Sequence, residues 1–213
     1  MTIPPIAAEL EQELARLSPV TTRRPVRQAL LAGAVSLVYA AIVLAVIAVR
    51  RELADLPRLW LVLYLGAWLA GFAVPVWFAL VPRPGGMLPR WRLAGAIAAV
   101  SAVGFVVAGL LVPRSAAASL HLGLDYAHQC LSLGLVTAIV PVVLGTLLLR
   151  GAAPVGSRVT AAALGAAGGS LGGFVLHLHC PIADGIHVGL VHGAVVAVAA
   201  LLAAALVPRA LRP

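Results

Sequence analysis

Residues 29–49 read ALLAGAVSLVYAAIVLAVIAV, an unbroken run without a charged side chain. An α-helix rises about 1.5 Å per residue, so such a run spans the roughly 30 Å hydrocarbon core of a bilayer. Apolar residues fill every face of that helix, which suits lipid or other helices as its surroundings and not water. Five more stretches of the same kind follow, near 59–81, 93–112, 127–149, 159–178 and 188–207. The chain as a whole agrees, since its 213 residues are 62% hydrophobic and only 10% charged. A soluble domain of this size could not hide so much apolar surface. The expected fold class is an all-α integral membrane protein, a six-helix transmembrane bundle over 29–207 preceded by a short amphipathic cytoplasmic helix. Residues 1–28 are then a soluble N-terminal segment and 208–213 a C-terminal tail, with no room for a second globular domain.

The first apolar run begins after a polar, partly acidic segment and is too long for the apolar core of a cleaved signal peptide. It is expected to remain as the first helix and to direct insertion. Every basic residue is Arg, and the formal net charge is +8. These arginines flank the spans and do not interleave with exposed aromatics, which points to anionic lipid headgroups and not to direct nucleic acid binding. No span carries an acid or Arg near its centre, which argues against a proton relay, an ion pathway or a voltage sensor.

Basic residues near helix ends mark the cytoplasmic side. With the N-terminus inside, the inner set is Arg16, Arg23, Arg24, Arg27, Arg83, Arg90, Arg92, Arg150, Arg158, Arg209 and Arg212, against Arg50, Arg51, Arg58 and Arg114 outside. Both termini are therefore expected in the cytoplasm of a bacterial cell, in a multi-pass inner-membrane protein. Trp60, Trp77 and Trp91 fall near the expected interfaces, as aromatic belts do.

On this topology all six histidines and both cysteines, between His121 and His192, gather at the outer face. His128 and Cys130 open the fourth span, and His177 closes the fifth. His179, Cys180, Asp184 and His187 lie in or beside the last outer loop, and His192 lies about one turn into the sixth span. His121 stands alone in a loop. Thiolates and imidazoles in this number could hold zinc or another borderline or soft metal ion through Cys130, Cys180, His128, His177, His179, His187 and His192. Cys130 and Cys180 could instead form a disulfide, because the compartment outside the cytoplasm is oxidising. Haem is a weaker option, with His128, His177 and His192 as the only intramembrane axial candidates. The bland reading is that His sits comfortably at a membrane interface, apolar body in and polar tip out. The spacing matches no standard zinc signature. No catalytic set stands out, and Asp125 and Asp184 are isolated acids, so an enzyme is not expected.

The fifth span carries Gly165, Gly168, Gly169, Gly172 and Gly173. Small residues four apart let helix backbones approach closely, which gives either tight packing or a helix that slides or rotates. Pro75 and Pro141 lie inside spans two and four, where each removes a backbone donor. In the N-terminal segment Ile6, Leu10, Leu14 and Leu17 recur at helical spacing, with Glu9, Glu11 and Glu13 on other faces. An acidic face fits poorly with anionic lipid. The stripe suits a helix laid in a protein groove at least as well as one lying on the inner leaflet.

Two stretches together resemble a known family. One is Leu14-Ala15-Arg16-Leu17-Ser18-Pro19-Val20 with Arg23-Arg24-Pro25 before the first span. The other runs from Cys130-Leu131 through Pro141, Arg150-Gly151 and the Gly-rich fifth span to Leu178-His179-Cys180-Pro181. The chain resembles the NrsF-type negative regulators of extracytoplasmic-function sigma factors, which are six-helix inner-membrane anti-sigma factors. The resemblance implies that the N-terminal segment binds a sigma factor and keeps it from core RNA polymerase, with Ile6, Leu10, Leu14, Leu17, Arg23 and Arg24 as the contact set. It also implies that Cys130 and Cys180 take part in sensing heavy metals or oxidants. Relatives commonly carry acids and a Trp after the Cys-Pro pair. Here the chain reads Ile182-Ala183-Asp184-Gly185-Ile186-His187, and His192 replaces an aromatic, which suggests a different metal preference. The rival is a membrane metal or haem protein for transport or electron transfer, with a passive N-terminus.

Overall fold

The computed structural model describes residues 23–81, 124–150, 157–182 and 187–210, together with Glu11. Every regular element among them is helical. These are α1 (Pro25–Ile47), a 3-10 turn (Arg51–Asp55), α2 (Arg58–Leu80), α3 (Leu124–Leu149), α4 (Ser157–His179) and α5 (Gly193–Ala210), the last entered through a π turn at Val188–His192. Five helical segments are long and apolar enough to cross a membrane. They fall where the apolar runs place the first, second, fourth, fifth and sixth spans. The 93–112 run and the expected N-terminal amphipathic helix, apart from Glu11, lie outside the described residues.

Local chemistry sets some of the ends. Pro25 opens α1 at its first position, where its missing N–H costs nothing. Beyond Ile47 the chain turns at Ala48, whose φ of 69° cannot continue a right-handed helix. Large aliphatics such as Leu30, Val38, Val46, Leu63 and Leu201 face outward. That surface is costly in water and natural in lipid. Inside, the hydroxyls of Thr137 and Thr146 donate to the carbonyls of Leu133 and Val142 one turn back, so these polar groups are satisfied within their own helix.

The bundle is built around α4. In α4, 72% of the apolar window is buried, against 17% in α1 and 33% in α3 and in the last span. Its glycines explain how three neighbours fit around it. A methyl group at Gly165 would land on the Ala199 carbonyl and one at Gly169 within 2.5 Å of the Val196 Cα, both on α5. One at Gly168 would lie 2.7 Å from the Ala138 carbonyl oxygen, and one at Gly172 would strike the Gly134 carbonyl, both on α3. One at Gly173 would enter the Trp68 ring on α2. The pair 165 and 169 therefore serves one seam and the pair 168 and 172 another, which is close backbone packing of the small-xxx-small kind.

Paired positions fix the directions. Tyr64, Trp68 and Gly71 on α2 meet His177, Gly173 and Ser170 on α4, so the two run antiparallel. Cys130, Gly134 and Ala138 on α3 meet Cys180, Gly172 and Gly168, so α3 is antiparallel to α4 as well. The Arg50 N–H donates to the Leu178 carbonyl, so α1 ends where α4 ends. One end of the bundle therefore collects Arg50, Cys130, Cys180 and His187, and the chain enters α1 and leaves α5 at the other.

Candidate metal-binding site

Three segments supply the site. The first turns of α3 bring Cys130, the residue after α4 is Cys180, and the start of the last span brings His187 and His192. Cys180 stays on the helical path, because its N–H donates to the Leu176 carbonyl at 2.7 Å. The two thiols pack with Leu176, Val191 and Val195, which gives the site an apolar floor. The π turn does the remaining work. In an α-helix two residues five apart point about 140° away from each other, at 100° per residue. The wider i→i+5 turn at Val188–His192 brings residue five back toward the same face. His187 and His192 consequently meet edge to face, with ring centroids 5.3 Å apart.

One donor atom from each of Cys130, Cys180, His187 and His192 lies within 4.8 Å of the other three, and all four residues are buried. The sulfurs are 3.8 Å apart, both as free thiols. The Cys180 Sγ is 3.7 Å from the His187 Nε2. Hydrogen bonding from Cys130, and further from His187, His192 and the Ile182 backbone, pulls the Cys180 thiol below its ordinary range against the opposing effect of burial. The buried His187 Nδ1 has no hydrogen-bond partner among the described residues, and His192 interacts with the Cys180 thiol. A cation held between the four residues would take one nitrogen from each of the two imidazoles and one sulfur from each cysteine. The set is able to hold a metal ion, and its soft and borderline donors suit a transition metal and not a hard cation such as magnesium or calcium.

The other histidines go elsewhere. His177 is one residue around α4 from the α3 seam and lies against the Tyr64 ring, with centroids 4.5 Å apart. The His179 Nδ1 meets the Ala48 carbonyl at 2.8 Å. His128 is exposed on α3. His121 and Asp184 lie outside the described residues. Sequence spacing groups seven donors without ranking them, and it misses Arg50. That residue is buried at the same end, with its Nη1 donating to the Cys180 carbonyl at 3.1 Å. An Arg directly after an apolar run reads as an interface anchor, and nothing in the sequence distinguishes it from Arg51.

At the opposite end Arg23 donates from Nη2 to the Gln28 Oε1 at 3.0 Å and to the Leu148 carbonyl. Arg24 is exposed. Ile6, Leu10, Leu14 and Leu17 lie outside the described residues.

The fold and the site define a multi-span, membrane-like helix bundle with a buried thiol and imidazole cluster at one end. The family model described as NrsF, negative regulator of sigma F, matches residues 14–212, and the chain belongs to that family. It is thus an anti-sigma factor that carries a Cys/His cluster able to coordinate a metal. Members of this family are regulators and not enzymes. No curated protein and no solved structure shows a significant match to the chain.

Proposed function

We propose that residues 1–28 hold an extracytoplasmic-function sigma factor at the inner membrane and release it when the cluster on the periplasmic face takes up a metal ion or is oxidised. The stripe Ile6, Leu10, Leu14 and Leu17 forms the docking face, with Arg23 and Arg24 at its root. One observation carries the reading: four donor atoms within 4.8 Å of one another lie at the end of the bundle opposite the start of α1. Separation of input from output across a membrane is what a transmembrane regulator requires.

The arginines support the orientation. Arg23, Arg24, Arg27, Arg150, Arg158 and Arg209 flank one end, against Arg50, Arg51 and Arg58 at the cluster end. A sixth span is supported by direction. Since α2 and α3 both run antiparallel to α4, α2 finishes at the face opposite to the one where α3 starts. A crossing between Leu80 and Leu124 accords with these directions, and 93–112 is an apolar run long enough to supply it.

Zinc is the preferred ion. In a tetrahedral site, zinc–sulfur bonds of about 2.3 Å set two sulfurs about 3.8 Å apart, and the observed separation is 3.8 Å. A disulfide requires about 2.05 Å between sulfurs, so oxidation would draw α3 and the end of α4 together. In that step two thiols lose two protons and two electrons to an oxidant. The haem alternative has little support, because His128 is exposed and His177 is packed on Tyr64.

The test uses the full chain in lipid nanodiscs with extracytoplasmic-function sigma factors of the same cell as candidates. Wild type should capture the sigma factor metal-free and release it on zinc addition, with about one zinc bound per chain and no Soret band. Capture by a chain lacking residues 2–22 would remove the docking assignment. Zinc-driven release by a Cys130→Ser, Cys180→Ser double variant would remove the sensing assignment.

A further inference from the structure

Helix α1 is fastened at both ends, and between them it presents a narrow small-residue face of Ala29, Ala32 and Ala40 to the core. At the cluster end the Arg50 N–H donates to the Leu178 carbonyl at 2.9 Å, and its Nη1 donates to the Cys180 carbonyl at 3.1 Å. His179 adds a third tie through Nδ1 to the Ala48 carbonyl at 2.8 Å. Ala48 keeps a left-handed φ of 69°, which a residue with a side chain adopts only where its surroundings hold it there. At the other end Arg23 bridges Gln28 on α1 and the Leu148 carbonyl in the last turn of α3. Between these ties the Tyr39 hydroxyl donates to the Val136 carbonyl on α3 at 3.4 Å, and only 17% of the α1 window is buried.

The ties form a closed mechanical circuit. The Cys180 carbonyl is held by Arg50, Arg50 is carried by α1, α1 is rooted by Arg23, and Arg23 grips α3, whose first turns carry Cys130. We propose that Arg50 and Arg23 are positioning residues that transmit a change in the Cys130–Cys180 spacing along α1 to the root of the N-terminal segment. The inference deepens the function proposed above and rests on it for what the segment does. A helix is stiff along its axis, and one held to its neighbours mainly at its two ends can shift along them. A shift of Cys180 relative to Cys130 therefore moves α1 relative to α3, and the displacement is felt where Arg23 meets Leu148. Any such coupling is limited by the difference in metal affinity between the two arrangements.

Hydrogen exchange over residues 23–28, read by mass spectrometry on the full chain in nanodiscs, tests this without a sigma factor. Cobalt(II) serves as the probe, because its visible absorption reports occupancy of a tetrahedral thiolate site. Cobalt should change the exchange rate of this stretch about fivefold in wild type, at the low end of typical coupling. Arg50→Gln should bind cobalt with the same spectrum and show no change at 23–28, Arg50→Lys should restore at least half of it, and Arg23→Gln should abolish it from the other end. A wild-type chain that binds cobalt without any change at 23–28 overturns the inference. So does an Arg50→Gln chain that still responds, one that loses the cobalt spectrum, or a Lys variant that restores nothing. If the exchange change is present and depends on Arg50 while no sigma factor is captured, the functional reading fails and the coupling stands.

Discussion

Cys180 and His177 are three residues apart on the same helical path, yet they face different neighbours. Cys180 meets Cys130 and His187, whereas His177 meets Tyr64. Substitution should separate them. His187→Ala and Cys180→Ser should each weaken metal binding by tenfold or more, because a four-ligand site loses a direct bond. His177→Phe keeps an aromatic ring on Tyr64 and should leave metal affinity within about twofold. Cobalt titration of the three variants checks this, and loss of binding in His177→Phe would mean that the ligand set is wrongly drawn. The sequence displays these residues equally. Which of them converge depends on one step around α4, and spacing alone cannot rank residues on two adjacent faces of one helix.

At the scale of the element, α4 is specified by its glycines and the last span by its π turn. Gly168 faces the Ala138 carbonyl and Gly169 faces the α5 backbone. Backbone atoms cannot step aside as a flexible side chain does. Gly168→Leu and Gly169→Leu should therefore push the α3 and α5 seams apart and destabilise the bundle by about 1–3 kcal/mol or more. Resistance to unfolding in mixed detergent measures the effect. Gly193→Ala, with open space around it, should change stability by less than about 0.5 kcal/mol. The Gly spacing is readable in the sequence, and of its three pairs four apart, 165/169 and 168/172 each map onto one seam while 169/173 is split between α5 and Trp68. The π turn is not readable. His187 and His192 sit five apart, which on a regular helix separates them, and only an i→i+5 turn unites them.

For the whole molecule, topology is the quantity to measure. Reporter fusions after residue 28 and at the C-terminus should report the cytoplasm, and a fusion within 113–126 should report the periplasm. A C-terminal fusion active in the periplasm would invert the proposed route from envelope to transcription. The amino-acid order alone determined the membrane class, the five described spans to within a few residues, and the gathering of soft donors at one end, because twenty-residue apolar runs and alternating helix ends are local properties of a chain. The tertiary structure alone decided that α4 is the axis, that four of the seven candidate ligands meet, and that Arg50 and Arg23 fasten α1 at its two ends. Those outcomes depend on how each helix is rotated about its axis. In a helix that is apolar all round, rotation is set by glycine contacts and buried hydrogen bonds with distant parts of the chain, and not by a hydrophobic stripe that the sequence would reveal.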